Sequence, residues 1–144
     1  MRDTLTGEVS CVIIYSNGGD SVSITADLIR GHTDTIILAA LMSEDSYGYR
    51  INKAIRMQTD NEYELKEATL YTAFHRLEEA GCITSYWGNE ESGARRRYYA
   101  ITGEGRSAYR AMMREWQEAS GLLEKLMRFG DEDTSDDTGN TEQI

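Results

Sequence analysis

The chain has 144 residues, of which 40% are apolar and 28% charged, with two cysteines and a formal net charge of −10. That length holds one small domain with extensions, and the apolar share is ordinary for a soluble globular protein. No apolar run approaches the roughly 20 residues of a membrane span, and the first residues lack a basic region followed by an apolar core, so the chain reads as cytoplasmic.

Cys11 and Cys82 are far apart and in no metal-like spacing, which makes free thiols in a reducing compartment the default. The negative charge is unevenly spread. From Asp131 onward there are six acids and no base, and from Met1 to Thr25 three acids and one base. Ala26 to Gly130 holds 16 acids and 14 bases, and the bases gather in two places described below. A near-neutral body with a local basic face binds phosphates whatever the sum over the chain.

Residues 1–25 form an extension with two readings. Glu8 to Tyr15 is a β-branched run, Asn17-Gly18-Gly19-Asp20 is a turn signal, and Ser21 to Thr25 alternates, which is the pattern of a β-hairpin. The alternative is a mis-assigned start: a purine-rich ribosome-binding sequence can encode Gly-Gly-Asp, and Val22 then corresponds to a GTG start codon.

Residues 26–102 read as the main domain. Ala26 to Ser43 is one helix on its apolar positions Ile29, Ile36, Ile37, Leu41 and Met42. Asp45-Ser46 offers an N-cap for a second helix with Tyr47, Ile51, Ala54 and Ile55 as its stripe, and Gly48 in its first turn implies a close neighbour. Thr59 to Glu62 ends it, and Tyr63 and Leu65 alternate as a short extended segment would. Leu65 to Ile83 carries the third helix. Leu70, Ala73, Phe74, Leu77 and Ala80 share one face, and Gly81 stands where a left-handed C-cap is wanted. Lys66 stands where a capping residue would be expected. The opposite face carries Thr69, Tyr71, Thr72, His75 and Arg76, a row of donors and aromatics suited to a DNA groove. The bland alternative is an ordinary amphipathic surface helix.

After Gly81 the period changes from 3.6 to 2. Ile83 to Trp87 and Arg95 to Ile101 are the arms of a hairpin joined by a polar turn at Gly88 to Gly93. Three helices and a hairpin with basic residues near its tip make a winged helix-turn-helix, a mainly α (α+β) fold. Thr102 caps a long helix within residues 103–129, roughly Gly105 to Phe129. Its stripe includes Tyr109, Met112, Met113, Trp116, Leu122, Leu123, Leu126 and Met127. So small a domain cannot cover that stripe, whereas two copies packed together would bury it, so a homodimer is expected. Residues 130–144 are acidic and turn-rich, and read as a disordered tail.

Ala68-Thr69-Leu70-Tyr71, Arg76-Leu77-Glu78, Gly81, Arg96-Arg97-Tyr98-Tyr99 and Thr102, with Tyr47-Gly48-Tyr49, resemble the PadR family of transcriptional regulators from Asp27 to about Met127. The single long helix after the wing is similar to the short subfamily. Within it, Glu64-Leu65, Glu67 through Thr72, Ser85-Tyr86-Trp87-Gly88 and Trp116 look most like a multidrug-sensing repressor. The resemblance implies a homodimeric, ligand-responsive repressor whose third helix enters the major groove while the wing touches the flanking minor groove or backbone. Lys66 and the first 25 residues depart from the family pattern.

The expected DNA-binding residues are Lys66, Thr69, Tyr71, Thr72, His75, Arg95 and Arg96. Hydroxyls and His75 reach phosphates or base edges, and arginines suit a narrow groove. Arg97 alternates to the other face from Arg96, with Glu90 or Glu91 as alternative partners, and Arg76 has Glu79 or Glu44. On the long helix, Ala108, Met112, Trp116 and Ser120 lie four apart beside the expected dimer seam, where two indoles could hold a flat aromatic compound. The alternative is that Trp116 fills the dimer core. The resemblance points to the same strip and adds Gly31, Asp34 and Thr35, with Asp34 favouring cationic aromatic compounds.

An enzyme is not expected, and neither a cofactor nor a metal: His32 and His75 are the only histidines, and no phosphate-binding glycine loop follows a strand. The rival to a DNA-binding regulator is a winged-helix protein-interaction module that has lost DNA contact. Operator DNA, a second copy of the chain and a small aromatic effector are the expected partners.

Overall fold

The computed structural model describes residues 24–89, 93 and 95–131. The expected N-terminal hairpin, the alternative start at Val22 and the acidic tail beyond Asp131 lie outside them. The order is α1 (Ile24–Arg30), α2 (Thr33–Leu41), α3 (Gly48–Gln58), α4 (Glu67–Glu79), β1 (Ile83–Asn89), β2 (Arg95–Ile101) and α5 (Gly103–Arg128). This is a mainly helical winged helix-turn-helix with a small antiparallel sheet and a long last helix.

The single helix expected over Ala26 to Ser43 is two. Gly31 N–H still reaches the Asp27 carbonyl at 3.1 Å, but His32 N–H turns to Ile29 at 2.9 Å, and the Thr33 hydroxyl donates to the Arg30 carbonyl at 2.8 Å. Glycine weakens a helix interior, and this bond from buried Thr33 fixes the break.

α2, α3 and α4 supply most of the core. Ile37, Leu38, Leu41, Ile51, Leu65, Leu70, Ala73, Phe74 and Leu77 are buried with Ile83 and Tyr99 of the sheet. The apolar face expected for α4 is the buried one, except that Ala80 at its end is exposed. Gly81 follows with φ +78°, the left-handed conformation its position requires. Lys66 occupies the N-cap without a side-chain bond.

Ser46 does not cap α3. Tyr47 stands at the N-cap, and Ser46 instead exchanges backbone hydrogen bonds with Tyr99, at 3.1 and 2.7 Å, as a third strand one residue long. Its hydroxyl accepts from Arg50 Nε at 3.1 Å. The segment around Tyr63 to Leu65 lies between α3 and α4 outside any helix, and the Asn52 amide binds its backbone as a neighbouring strand would. It donates to the Leu65 carbonyl and accepts from the Leu65 N–H, both at 2.8 Å.

In the hairpin, Ile83 faces Ile101 and Asn89 faces Arg95, so Gly88 belongs to β1, paired with Arg96, and not to the turn. Thr102 caps α5 as its position implied: its hydroxyl oxygen accepts from Gly105 N–H at 3.0 Å and donates toward the Gly81 carbonyl at 2.7 Å. Thr102→Ala is therefore expected to lower stability by about 1–2 kcal/mol, read by urea unfolding, because the cap and the tie to the end of α4 are lost together. A change below about 0.3 kcal/mol would show that the tie contributes nothing.

α5 packs on α2 and β2 through Ala108, Tyr109 and Met112. From Gly121 on, every residue of it is exposed, and Leu122, Leu123, Leu126, Met127 and Phe129 all face solvent in the single chain. Its 26 residues extend for about 39 Å at 1.5 Å per residue, well past the domain it starts from.

Candidate nucleic-acid interface

α4 presents Tyr71, Thr72 and His75 to solvent, with Lys66 exposed at its start and Thr69 half-buried. Tyr71 is 47% exposed. Its ring meets Phe74 edge-on at 5.7 Å, and its hydroxyl oxygen would lie 3.0 Å from a Cβ at Gly48. That is the close neighbour the glycine implied: α3 and α4 approach there, and Tyr71 is held over the joint. His75 lies 3.5 Å from Glu79, an exposed pair one turn apart. Tyr49 of α3, 64% exposed, stands beside this face with the Arg56 guanidinium 6.0 Å from its ring centre. In the sequence Tyr49 counts only as part of the family resemblance and not among the expected DNA-binding residues.

The two faces of the wing differ. On one, Tyr86 stacks on Tyr98 at 5.5 Å, Tyr98 meets Tyr47 edge-on at 5.2 Å, and Arg96 covers the Tyr47 ring at 4.5 Å. The Tyr86 hydroxyl donates to Asp45 at 2.6 Å, and that bond raises its pKa above the ordinary tyrosine value. These contacts fix the hairpin to the start of α3. On the other face, Trp87 is 54% exposed, with Arg95 5.0 Å and Arg97 5.8 Å from its ring centre. Cation–π contact holds both guanidinium groups at the surface. Arg97 also donates to Ser85 Oγ at 2.8 Å and lies 3.6 Å from Glu78. Its alternative partners Glu90 and Glu91 fall outside the described residues. Trp87 as a platform for arginines was not anticipated, although the antiparallel register pairs it with Arg97.

The second group of expected residues meets in part. A cleft of about 590 Å³ opens between the α1–α2 corner and α5, and Gly31, Asp34, Thr35, Met112 and Trp116 line it. Trp116 is 40% exposed and forms a T-shaped pair with His32, ring centres 4.9 Å apart at 71°. The Thr35 hydroxyl lies 3.2 Å from Met112 Sδ. Ala108 and Ser120 are not in the wall. Ala108 packs against the core, and Ser120 Oγ donates to its own helix at Gln117, 3.3 Å away. Positions four apart drift by about 40° per step on a 3.6-residue helix, so the strip leaves the cleft at both ends. Ala119 and Leu123 take its place, and His32 and Arg76 complete the wall. Asp34 is not a free negative charge. It takes a two-point hydrogen bond from Arg76, with Nε–Oδ2 at 3.2 Å and a second, shorter contact from Nη2 to Oδ1. These bonds raise the Arg76 pKa above its already high value. Asp34, not Glu79 or Glu44, is thus the partner of Arg76. Among the described residues there is no cluster of His, Cys, Asp and Glu that could hold a metal, and no helix is long and apolar enough to cross a membrane.

Three core helices, the last of them with an exposed outer face, and a hairpin carrying arginines define a winged-helix protein of the DNA-binding regulator class. The chain belongs to the PadR-like family of transcriptional regulators, whose model matches residues 37–111. It is 39% identical over 104 residues to an uncharacterised protein of Lysinibacillus sphaericus, covering 72% of this chain and 95% of that one. Among solved structures it is similar to a transcriptional regulator from Clostridium thermocellum, with 51% identity, a TM-score of 0.65 and coverage of 71% of this chain and 96% of the other. A PadR family regulator from Eggerthella lenta is 31% identical with a TM-score of 0.64, over 72% and 88% of the two chains. One from Clostridium difficile is 35% identical with a TM-score of 0.58, over 67% and 98%.

Proposed function

We propose that the chain is a homodimeric repressor of the PadR type, joined through α5, that grips operator DNA with α4 in the major groove and the wing alongside. A planar aromatic effector in the cleft beside Trp116 releases it, as in the multidrug-sensing regulators it resembles. The observation that carries the DNA reading is the pairing of two surfaces. One face of α4 offers Lys66, Thr69, Tyr71, Thr72 and His75, and the wing keeps Arg95 exposed at the surface while Arg96 is half-buried against Tyr47. Donors on a helix face read bases and arginines on a wing hold phosphates.

The unpartnered end of α5 supports the dimer. Five large apolar side chains between Leu122 and Phe129 face water in one copy, and a second copy removes them from it. A two-fold pair would present two α4 helices to successive turns of a duplex.

Gel shift on the DNA upstream of the protein's own gene tests this. A repressor gives a complex whose affinity falls by roughly a thousandfold or more between 50 and 200 mM salt, as expected when several phosphates are neutralised. Sedimentation at the same concentrations gives a dimer. A monomer, or no complex at low salt, would leave the winged-helix interaction module as the better reading.

A further inference from the structure

The Asp34–Arg76 pair joins two sites. Both side chains line the cleft beside Trp116. Asp34 lies in the first turn of α2 and Arg76 in the last turn of α4, the helix that carries the DNA-facing row. The two are 42 residues apart in sequence and meet as a fork, one guanidinium against one carboxylate. The Asp34 side chain is 29% exposed, the Arg76 side chain 54%. Other charges face the cleft: Arg30, already paired with Asp27 at 2.6 Å, and Glu115 on α5.

Resting on the effector reading above, we infer that the Arg76 guanidinium competes with a cationic ligand for Asp34, so that a planar organic cation in the cleft frees Arg76 and loosens α4. A cation entering the cleft needs a counter-charge. Asp34 is the more enclosed of the two unlike acids, Glu115 being exposed, and attraction is stronger where solvent screens less. Asp34 serves one fork at a time, so the incoming charge displaces the resident one. An uncharged ligand of the same shape fills the cleft beside Trp116 and leaves the fork intact. Charge, rather than occupancy, is then what reaches the DNA-facing helix. By linkage the coupling is reciprocal: whatever weakens DNA binding when the cation binds is weakened equally when DNA binds first.

The test uses the full chain with N-methylquinolinium and its uncharged counterpart quinoline at pH 8, binding being read by calorimetry. Arg76→Gln is expected to tighten N-methylquinolinium roughly 5- to 10-fold and to leave quinoline unchanged. Asp34→Asn weakens the cation by a similar factor, and in that background Arg76→Gln adds nothing. N-methylquinolinium lowers affinity for the upstream DNA in the wild type but not in Arg76→Gln, while quinoline and an equal concentration of tetramethylammonium have no effect. Arg76→Lys, which keeps the charge and loses the fork, falls between and guards against a folding defect in the glutamine variant. If Arg76→Gln leaves cation binding unchanged or weaker while Trp116→Ala weakens both probes, the competition is overturned and the effector cleft stands. If Trp116→Ala alters neither probe, the effector reading fails and takes the competition with it.

Discussion

Phe74→Ala is expected to lower the free energy of unfolding by about 3–5 kcal/mol, the largest loss from any single side chain in this domain. The ring is 1% exposed, stacks on Tyr99 at 3.8 Å and 15°, and forms a T-shaped pair with Tyr71. Removing it deletes the transfer term of a large buried side chain and opens a void whose walls belong to different elements. α4, β2 and α2 are held by separate sets of contacts, including the Ser46–Tyr99 backbone bonds, so the void cannot close by shifting one of them. The aromatic pairing adds about 0.5–1.5 kcal/mol that an aliphatic residue does not restore, so Phe74→Leu should recover most of the loss but not all of it. Small domains have about 5–15 kcal/mol in total, and the alanine variant would be substantially unfolded at 37 °C. Urea unfolding at fixed protein concentration, needed because a dimer's stability depends on it, checks the value. A loss below about 1 kcal/mol would mean that this ring is not where α4 is anchored.

The α4 core was legible because its information is local. Leu70, Ala73, Phe74 and Leu77 recur at helical spacing, Gly81 must take a left-handed conformation, and Thr102 precedes a helix it can cap. Each follows from a rule that spans a few residues. Gly48 was legible for a similar reason, since a glycine in a first helical turn has few purposes besides close packing. The misreadings involve partners far away in sequence. Ser46 has the chemistry of a cap, yet the strand at Tyr99 claims its backbone, 53 positions on, and Arg50 its hydroxyl. The helix break at Gly31 was missed because Ile29, Ile36 and Ile37 keep their period across it.

For the candidate site the division is the same. Exposure of Tyr71, Thr72 and His75 followed from the buried face of α4. The cleft needs the crossing of α2 and α5, so its lining differs from the strip expected at the dimer seam: Ala108 and Ser120 do not line it, and His32 and Arg76 do. The Asp34–Arg76 fork, between helices that pack with α3 intervening in sequence, has no local signature at all.

Replacing Arg95 and Arg96 together by glutamine is expected to weaken binding to the upstream DNA about 10- to 100-fold at low salt, and to reduce the slope of log affinity against log salt by about 2. The size follows from two competing effects. Each guanidinium that reaches a phosphate contributes a charge-assisted hydrogen bond and releases a counterion. Each must also leave or share its aromatic contact, Arg95 with Trp87 and Arg96 with Tyr47, at about 0.5–1 kcal/mol for an exposed pair. The phosphate term is larger, so the net stays favourable. It favours Arg95 over Arg96, because Arg95 is exposed while Arg96 is half-buried against the body. The single variants should rank in that order. Thr72→Ala separates this role from base reading: it should change the preference between operator sequences with little change in the salt slope, whereas the arginine pair should weaken all sequences alike. An unchanged salt slope in the double variant would remove the wing from the phosphate backbone and leave α4 alone to hold the duplex.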